Sequence, residues 1–328
     1  MAFTTVGSSS EAAVEARVAA ALRGTRADVR GRVFEIGLLL ALLVSLVILA
    51  VLISRVLIDG LPVYTDRGWD FLNGSLSGSA ARAGISQGIV GSFWIAVAVV
   101  VIAFPLGIGA AIYLEEYAPR NRLTSFIELN IRNLAGVPSV VYGLLGLAIF
   151  VEAFSGFSGN EGVDRRTLAA ACVTLAVLVL PIVIITSAEA IRAVPQALRE
   201  GAYGVGATRW EVIRSEVLPY AAPGILTGAL LSIARAVGEA APLIVVGAVT
   251  GFFSQGGGLN VGNVIDPGHL TERFVALPSI VTTFAKQPDE AFRVANASAT
   301  IMAMLVFVLL VNSIAIILRN RFEKKRSQ

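Results

Sequence analysis

Long apolar runs separated by short polar stretches set the pattern of hydrophobic and polar positions along this chain. Six of these runs approach or exceed the roughly 20 residues that a helix needs to cross the hydrocarbon layer of a bilayer. They cover residues 36–54, 87–114, 133–151, 167–188, 221–249 and 294–318. The pattern therefore predicts an all-α polytopic membrane protein with six transmembrane helices.

The positions of these runs divide the chain into three parts. Residues 1–33 are polar, alanine-rich and basic, which predicts an N-terminal cytoplasmic tail. Residues 34–320 hold the six-helix domain, and residues 321–328 form a short basic tail. The first run has 19 uncharged residues and is not followed by a small-x-small cleavage site, so we expect it to remain as a spanning helix.

The composition supports the same class of protein. Hydrophobic residues make up 55% of the chain and charged residues 15%, against about 25% charged in soluble domains. The single cysteine, Cys172, lies in an apolar run, where we interpret it as a small buried side chain that forms no internal disulfide. His269 has no second ligand near it in the sequence, which indicates a solvated loop residue rather than a metal ligand.

Basic residues are distributed unevenly between the segments that connect the apolar runs. Seventeen of them lie in the two tails and in the segments around 120–132 and 189–220, whereas eight lie in the alternate segments. Because basic residues concentrate in cytoplasmic loops, both termini and the segment 189–220 are predicted to be cytoplasmic. The long segment 251–292 is then external.

The stretch 198–219 is the most charged one between two apolar runs, and it carries the signals of a helical hairpin. Pro195 suits the first turn of a helix, and the helix formers that follow are interrupted by Gly204 and Gly206. This pattern predicts a short helix over residues 196–203 that ends at a glycine hinge.

A second helix is predicted after the hinge. Thr208 and Glu211 have the spacing of a capping box, so we expect a helix from about Arg209 that stops at Pro219. Its apolar face is formed by residues that recur with helical spacing, namely Trp210, Ile213 and Val217.

This hairpin resembles the cytoplasmic EAA loop of ABC importer permeases. The matching positions are Glu200, Ala202, Gly206, Leu218 and Pro219. Gly201 stands in place of the middle alanine, and Glu216 stands where isoleucine is usual. The resemblance implies that the loop 189–220 couples the permease to an ATPase. The alternative is an amphipathic hairpin that rests on the membrane for structural reasons.

Four stretches, in the same order, resemble the PstA-type permease subunits of phosphate ABC importers. They are 107–119, 131–150, the sequence RAVGEAAPL at 235–243, and 274–292. The resemblance covers about residues 85–320 and implies the type I importer permease fold in a bacterial plasma membrane. It also implies a heterodimer with a second permease subunit, two ATP-binding subunits at the cytoplasmic loop, and an extracytoplasmic phosphate-binding protein.

The sequence predicts a transport subunit rather than an enzyme, with no cofactor and no nucleic-acid partner. Each of the three lysines follows a residue other than glycine, so none can complete a Walker A loop and ATP is expected to be hydrolysed by a partner chain. Alternatives to phosphate transport are a permease for another oxyanion such as sulfate or for an organic solute, and, with less support, a channel or a membrane enzyme.

Two charged residues lie inside the fifth apolar run. Arg235 and Glu239 are four residues apart, so they share a helical face and can pair with each other. A charge at membrane depth is costly and is not expected to face lipid. Either the pair holds helices in register, or the guanidinium, which matches the geometry of phosphate, faces the substrate pathway.

Other residues allow more than one interpretation. The glycines and proline of the third run, Gly136, Pro138, Gly143 and Gly146, fit tight helix packing as well as a lining of the pathway. Glu115 and Glu116 are interpreted as solvated charges at the cytoplasmic mouth. The apolar part of 274–292 is too short to span the membrane, and we expect it to lie in the interface or to tuck into the bundle.

Overall fold

The computed structural model describes residues 29–153, 166–248, 259 and 261–326, and its named elements are all helices. Five helices in this part of the chain are long and apolar enough to cross a membrane, and a bent helix pair makes a sixth span. We number the spans in chain order: first, Val29–Arg67; second, Ser86–Tyr117; third, Arg122–Ala135 with Ser139–Ala153; fourth, Leu168–Arg192; fifth, Arg209–Gly238; sixth, Ala291–Arg321. The prediction of six spans is confirmed when the bent helix pair is counted as one span.

Shorter helices connect the spans. They are Trp69–Asn73, Gln196–Gly204, Ala241–Val246, Val261–Ile265, the 3-10 turn Pro267–Thr271, and Leu277–Ala285. Five π turns interrupt the longer helices, at Val99–Ala103, Tyr113–Tyr117, Gly146–Phe150, Ile213–Val217 and Ala291–Asn296.

The first and last helices extend beyond the predicted apolar runs. The first begins at Val29, inside the predicted tail, and continues to Arg67, whereas residues 1–28 lie outside the described part. The last continues from Ala297 to Arg326, so most of the predicted basic tail is helical. Hydropathy marks the bilayer-crossing length of a helix, and good helix formers carry both helices further into polar sequence.

Prolines account for the differences between the predicted and the observed third and fifth spans. A proline inside a helix removes the hydrogen bond to the carbonyl four residues earlier and its ring collides with that carbonyl. The third span bends by 102° around Pro138, and the fifth span ends at Gly238, four residues before Pro242, instead of continuing to residue 249. At Pro219 the helix does not stop as predicted, because the π turn Ile213–Val217 accommodates the lost bond.

The chain divides into two compact units, residues 1–55 and residues 56–328. In the first unit, the described residues form one helix whose apolar side chains are exposed on all sides, as expected for a surface that lipid covers. The second unit holds the remaining spans and their core.

The fourth span is the centre of the second unit. Small residues allow its neighbours to approach closely: a Cβ atom added to Gly107 of the second span would lie 2.6 Å from Val183, and one added to Gly224 of the fifth would lie 2.8 Å from Ala190. A side chain at Gly228 would overlap Thr186. Cys172 is buried in this core, as predicted.

The bundle end opposite the hairpin is tied together by hydrogen bonds. The guanidinium of Arg67 donates to the carbonyls of Ala80 and Ala83 and, at 2.6 Å, to the side-chain oxygen of Asn296. The helix Leu277–Ala285 tucks into the bundle, where the amide of Leu277 donates to Ser92. Of the two predicted placements for this apolar helix, the buried one is confirmed.

Candidate functional site

The hairpin between the fourth and fifth spans has the predicted construction. Its first helix is Gln196–Gly204, and Gly206 adopts a φ of +88°, a conformation that residues with a side chain rarely take. The capping box is present, since the Thr208 hydroxyl accepts from the Glu211 amide and the Glu211 carboxylate accepts from the Thr208 amide. The turn is therefore fixed by local chemistry.

The five residues that match the EAA pattern divide into two groups. Ala202 and Leu218 pack against the buried side chains that join the hairpin to the second and fourth spans, among them Ala111, Ile191, Val194, Val212 and Val217. Glu200, Gly206 and Pro219 are exposed. The hairpin thus has an inner face held by the bundle and an outer face open to a partner.

Three large apolar side chains project from the outer face. Tyr203, Val205 and Trp210 are 44%, 86% and 55% exposed. Trp210 was predicted to share the apolar face of Ile213 and Val217, but those two are fully buried and Trp210 is not. The buried face centres on Val212 and Ile213, and the π turn Ile213–Val217 changes the helical phase between these residues and Val217.

Glu115 and Glu116 are not the solvated end charges that were predicted. The guanidinium of Arg192, at the end of the fourth span, forms a two-point contact with the Glu115 carboxylate. Arg199, in the first hairpin helix, donates to Glu116 at 2.9 and 3.2 Å. The signal in the sequence was weak: an acidic pair and four loop arginines on the same predicted side of the membrane.

Arg235 and Glu239 lie at the end of the fifth span. Gly238 is the last helical residue, and Glu239 has an extended backbone, so one continuous helix does not carry both, contrary to the prediction. The two side chains still meet, with Arg235 Nε 3.5 Å from Glu239 Oε1. The Arg235 side chain is 43% exposed in this chain.

The short helix that follows the interruption packs against the third span. A Cβ atom on Gly143 would lie 2.8 Å from the Cα of Pro242, and one on Gly146 would lie 2.9 Å from Val246. Gly143 and Gly146 were interpreted either as sites of tight helix packing or as a lining of the pathway, and these contacts support packing. The interruption at Glu239 is thus braced by a neighbouring helix.

A cavity of about 280 Å³ opens beyond this short helix. Ile244 and Ala248 line one side of it, and the other side carries the polar side chains of the tucked helix and its end, Ser279, Thr282, Thr283, Lys286 and Gln287.

His269 contacts Glu272 at 3.2 Å, and no cluster of three or more metal-ligating side chains occurs among the described residues.

The helical bundle and its apolar spans are those of a polytopic membrane protein. Residues 103–328 match the family model of the binding-protein-dependent transport system inner membrane component, and the chain belongs to this family. The predicted ABC importer permease fold is thereby confirmed.

Individual relatives agree with this assignment. The chain is 34% identical to the probable ABC transporter permease protein YqgI of Bacillus subtilis over 62% of its length, and 40% identical to YqgH of the same organism over 52%. It spans 65% and 54% of these two relatives. It is 33% identical to the phosphate transport system permease protein PstA 1 of Mycobacterium tuberculosis (strain ATCC 25618 / H37Rv) over 84% of its own length and 83% of that protein.

A solved structure shows the same fold. The bacterial ABC transporter involved in the import of the acidic polysaccharide alginate aligns with a TM-score of 0.52 at 15% identity. The alignment covers 89% of this chain and 98% of the other.

Proposed function

We propose that this protein is the transmembrane permease subunit of an ABC importer that moves inorganic phosphate into the cytoplasm by ATP-driven alternating access. The observation that carries the proposal is the position of Arg235, a permanent and partly exposed cation where the fifth span is interrupted. The PstA relative is named for phosphate transport and supports the same substrate.

The chemistry of Arg235 fits an oxyanion. A guanidinium remains charged at any pH of the cell and presents parallel N–H groups that match two oxygens of phosphate. Glu239 forms an ion pair with the Nε side of this group, with 3.5 Å between Nε and Oε1, which leaves the two terminal nitrogens as donors for a ligand. Lys286 brings a positive charge to the lining of the cavity beside Ile244 and Ala248, which favours an anion in that cavity.

The outer face of the hairpin is proposed as the docking site for an ATP-binding subunit. Exposed apolar side chains beside exposed Glu200 are features of a surface that another protein covers. In this assembly both termini and the hairpin are cytoplasmic. A second permease subunit completes the heterodimer, two ATP-binding subunits hydrolyse ATP, and an extracytoplasmic binding protein delivers phosphate.

The test is ATP-driven uptake by the complex reconstituted in liposomes, with phosphate and sulfate compared directly. We expect phosphate uptake from the parental complex, poor uptake with Arg235→Lys, and no uptake when Arg235→Leu is combined with Glu239→Leu in an assembled complex. Replacing both ends of a buried pair by apolar residues often preserves the fold, so a purely structural pair would allow transport in the double variant. Preference for sulfate, or robust uptake by the double variant, would contradict the proposal.

The coupling role is tested at Glu200. Glu200→Lys reverses an exposed charge without touching the core, so insertion is expected to be normal while uptake and binding of the ATP-binding subunit are lost. Glu35→Gln changes an exposed carboxylate in the first helix and serves as the control. Uptake at the parental rate with Glu200→Lys would show that this face of the hairpin does not take part in coupling.

A further inference from the structure

The second span ends in a π turn whose last three side chains each contact an arginine from a different element. Glu115 binds Arg192 of the fourth span, and Glu116 binds Arg199 of the first hairpin helix. The guanidinium of Arg209, in the second hairpin helix, lies 5.1 Å from the centre of the Tyr117 ring. We call these six residues the arginine clamp: Glu115, Glu116, Tyr117, Arg192, Arg199 and Arg209.

The central pair of the clamp is largely buried and hydrogen-bonded. The side chains of Arg199 and Glu116 are 13% and 8% exposed. Arg199 also donates to the carbonyls of Ile191 at 2.9 Å and Val194 at 2.7 Å, which lie at the end of the fourth span and just beyond it. One arginine therefore joins the second span, the fourth span and the hairpin.

The three contacts lie on different sides of the end of the second span. Three consecutive residues of a helical turn point in successive directions around its axis, so their partners approach from different sides. A partner that binds all three must wrap around the helix end. The hairpin and the end of the fourth span supply that wrapping, because their arginines approach from three successive parts of the chain.

We propose that the arginine clamp keeps the second span attached to the hairpin throughout the transport cycle, so that a displacement of the hairpin moves the second span as well as the fourth and fifth. Separating Glu116 from Arg199 would leave two charges without partners where little water can reach them, which opposes opening. Glu115 and Glu116 are positioning residues, and this role rests on the proposed coupling function.

The first test links the clamp covalently. Glu115→Cys and Arg192→Cys are combined with Cys172→Ala and joined by a short bis-methanethiosulfonate reagent that a reductant removes. If the clamp stays closed, the linked complex takes up phosphate at least as fast as the same sample after reduction. Slower uptake by the linked complex, restored by reduction, would show that the clamp opens and would overturn the proposal.

The second test removes the charges. Glu115→Gln with Glu116→Gln is expected to lower phosphate uptake per ATP hydrolysed at least tenfold while ATP hydrolysis continues, and Glu35→Gln is expected to change neither. An unchanged ratio would overturn the role. If the parental complex carried another solute, the proposal of phosphate as substrate would be wrong. Uptake of that solute per ATP hydrolysed, compared between the parental complex and the double glutamine variant, would still decide whether the clamp transmits movement.

Discussion

The hairpin hinge offers a matched pair of glycines that separates backbone conformation from packing. A Cβ atom would meet no neighbour within 4 Å at Gly206 or at Gly201, so both sites have room for a methyl group. They differ in backbone conformation, since Gly206 has a φ of +88° and Gly201 is helical. An alanine in the left-handed region costs about 1–2 kcal/mol, whereas replacing a helical glycine by alanine gains up to about 1 kcal/mol.

These values predict opposite outcomes for the two substitutions. If the hinge conformation is the one that binds the ATP-binding subunit, a cost of about 1–2 kcal/mol at Gly206→Ala weakens that binding roughly 5- to 30-fold. Gly206→Val is expected to weaken it further, because a β-branched side chain tolerates a positive φ less well. Gly201→Ala should leave binding unchanged or slightly stronger.

Binding is measured as the midpoint of titration of the purified ATP-binding subunit onto permease in nanodiscs, with uptake measured in parallel. Equal affinities for Gly206→Ala and Gly201→Ala would refute the reasoning, because the φ value would then have no role in docking. Lower affinity for both would point instead to a partner surface that has no room for an added methyl group on the hairpin.

Two further predictions concern topology and packing. Cysteines introduced at Gln255 and Ser327 with Cys172→Ala should react with an impermeant thiol reagent only from outside and only from inside, respectively; the reverse pattern would invert the orientation. Gly228→Leu should force the fifth span away from Thr186, at a cost of about 1–3 kcal/mol. We expect a lower melting temperature of the purified permease, partly recovered when Thr186→Gly is added, and an unchanged melting temperature would argue against the close contact.

Features that depend on neighbouring residues in the chain could be predicted from the sequence. The capping box at Thr208 and the positive φ at Gly206 follow from side-chain and backbone chemistry within a few residues. The end of the fifth span was also readable, because Pro242 lies inside the apolar run and excludes a helical hydrogen bond to Gly238. The hydropathy pattern alone did not predict that the helix ends before this proline.

Contacts between distant parts of the chain could not be predicted. Glu116 and Arg199 are 83 residues apart, and nothing in either local sequence selects one as the partner of the other. The same holds for the exposure of Trp210, since its spacing to Ile213 and Val217 fits one helical face although only those two are buried. For Arg235 and Glu239 the spacing gave the correct partner, while the interruption between them depended on the proline that follows.

The hydrogen bonds of Arg67 have a consequence for biogenesis. Asn296, which receives one of them, follows Arg67 by 229 residues, and Ala299, whose carbonyl binds the Tyr64 hydroxyl, follows that tyrosine by 235. A chain emerging from the ribosome therefore holds its first span with these donors incompletely satisfied until the sixth is synthesised. Insertion of the last helix completes the hydrogen bonding of the first one, and a nascent permease that stops short of it lacks the acceptors at Asn296 and Ala299.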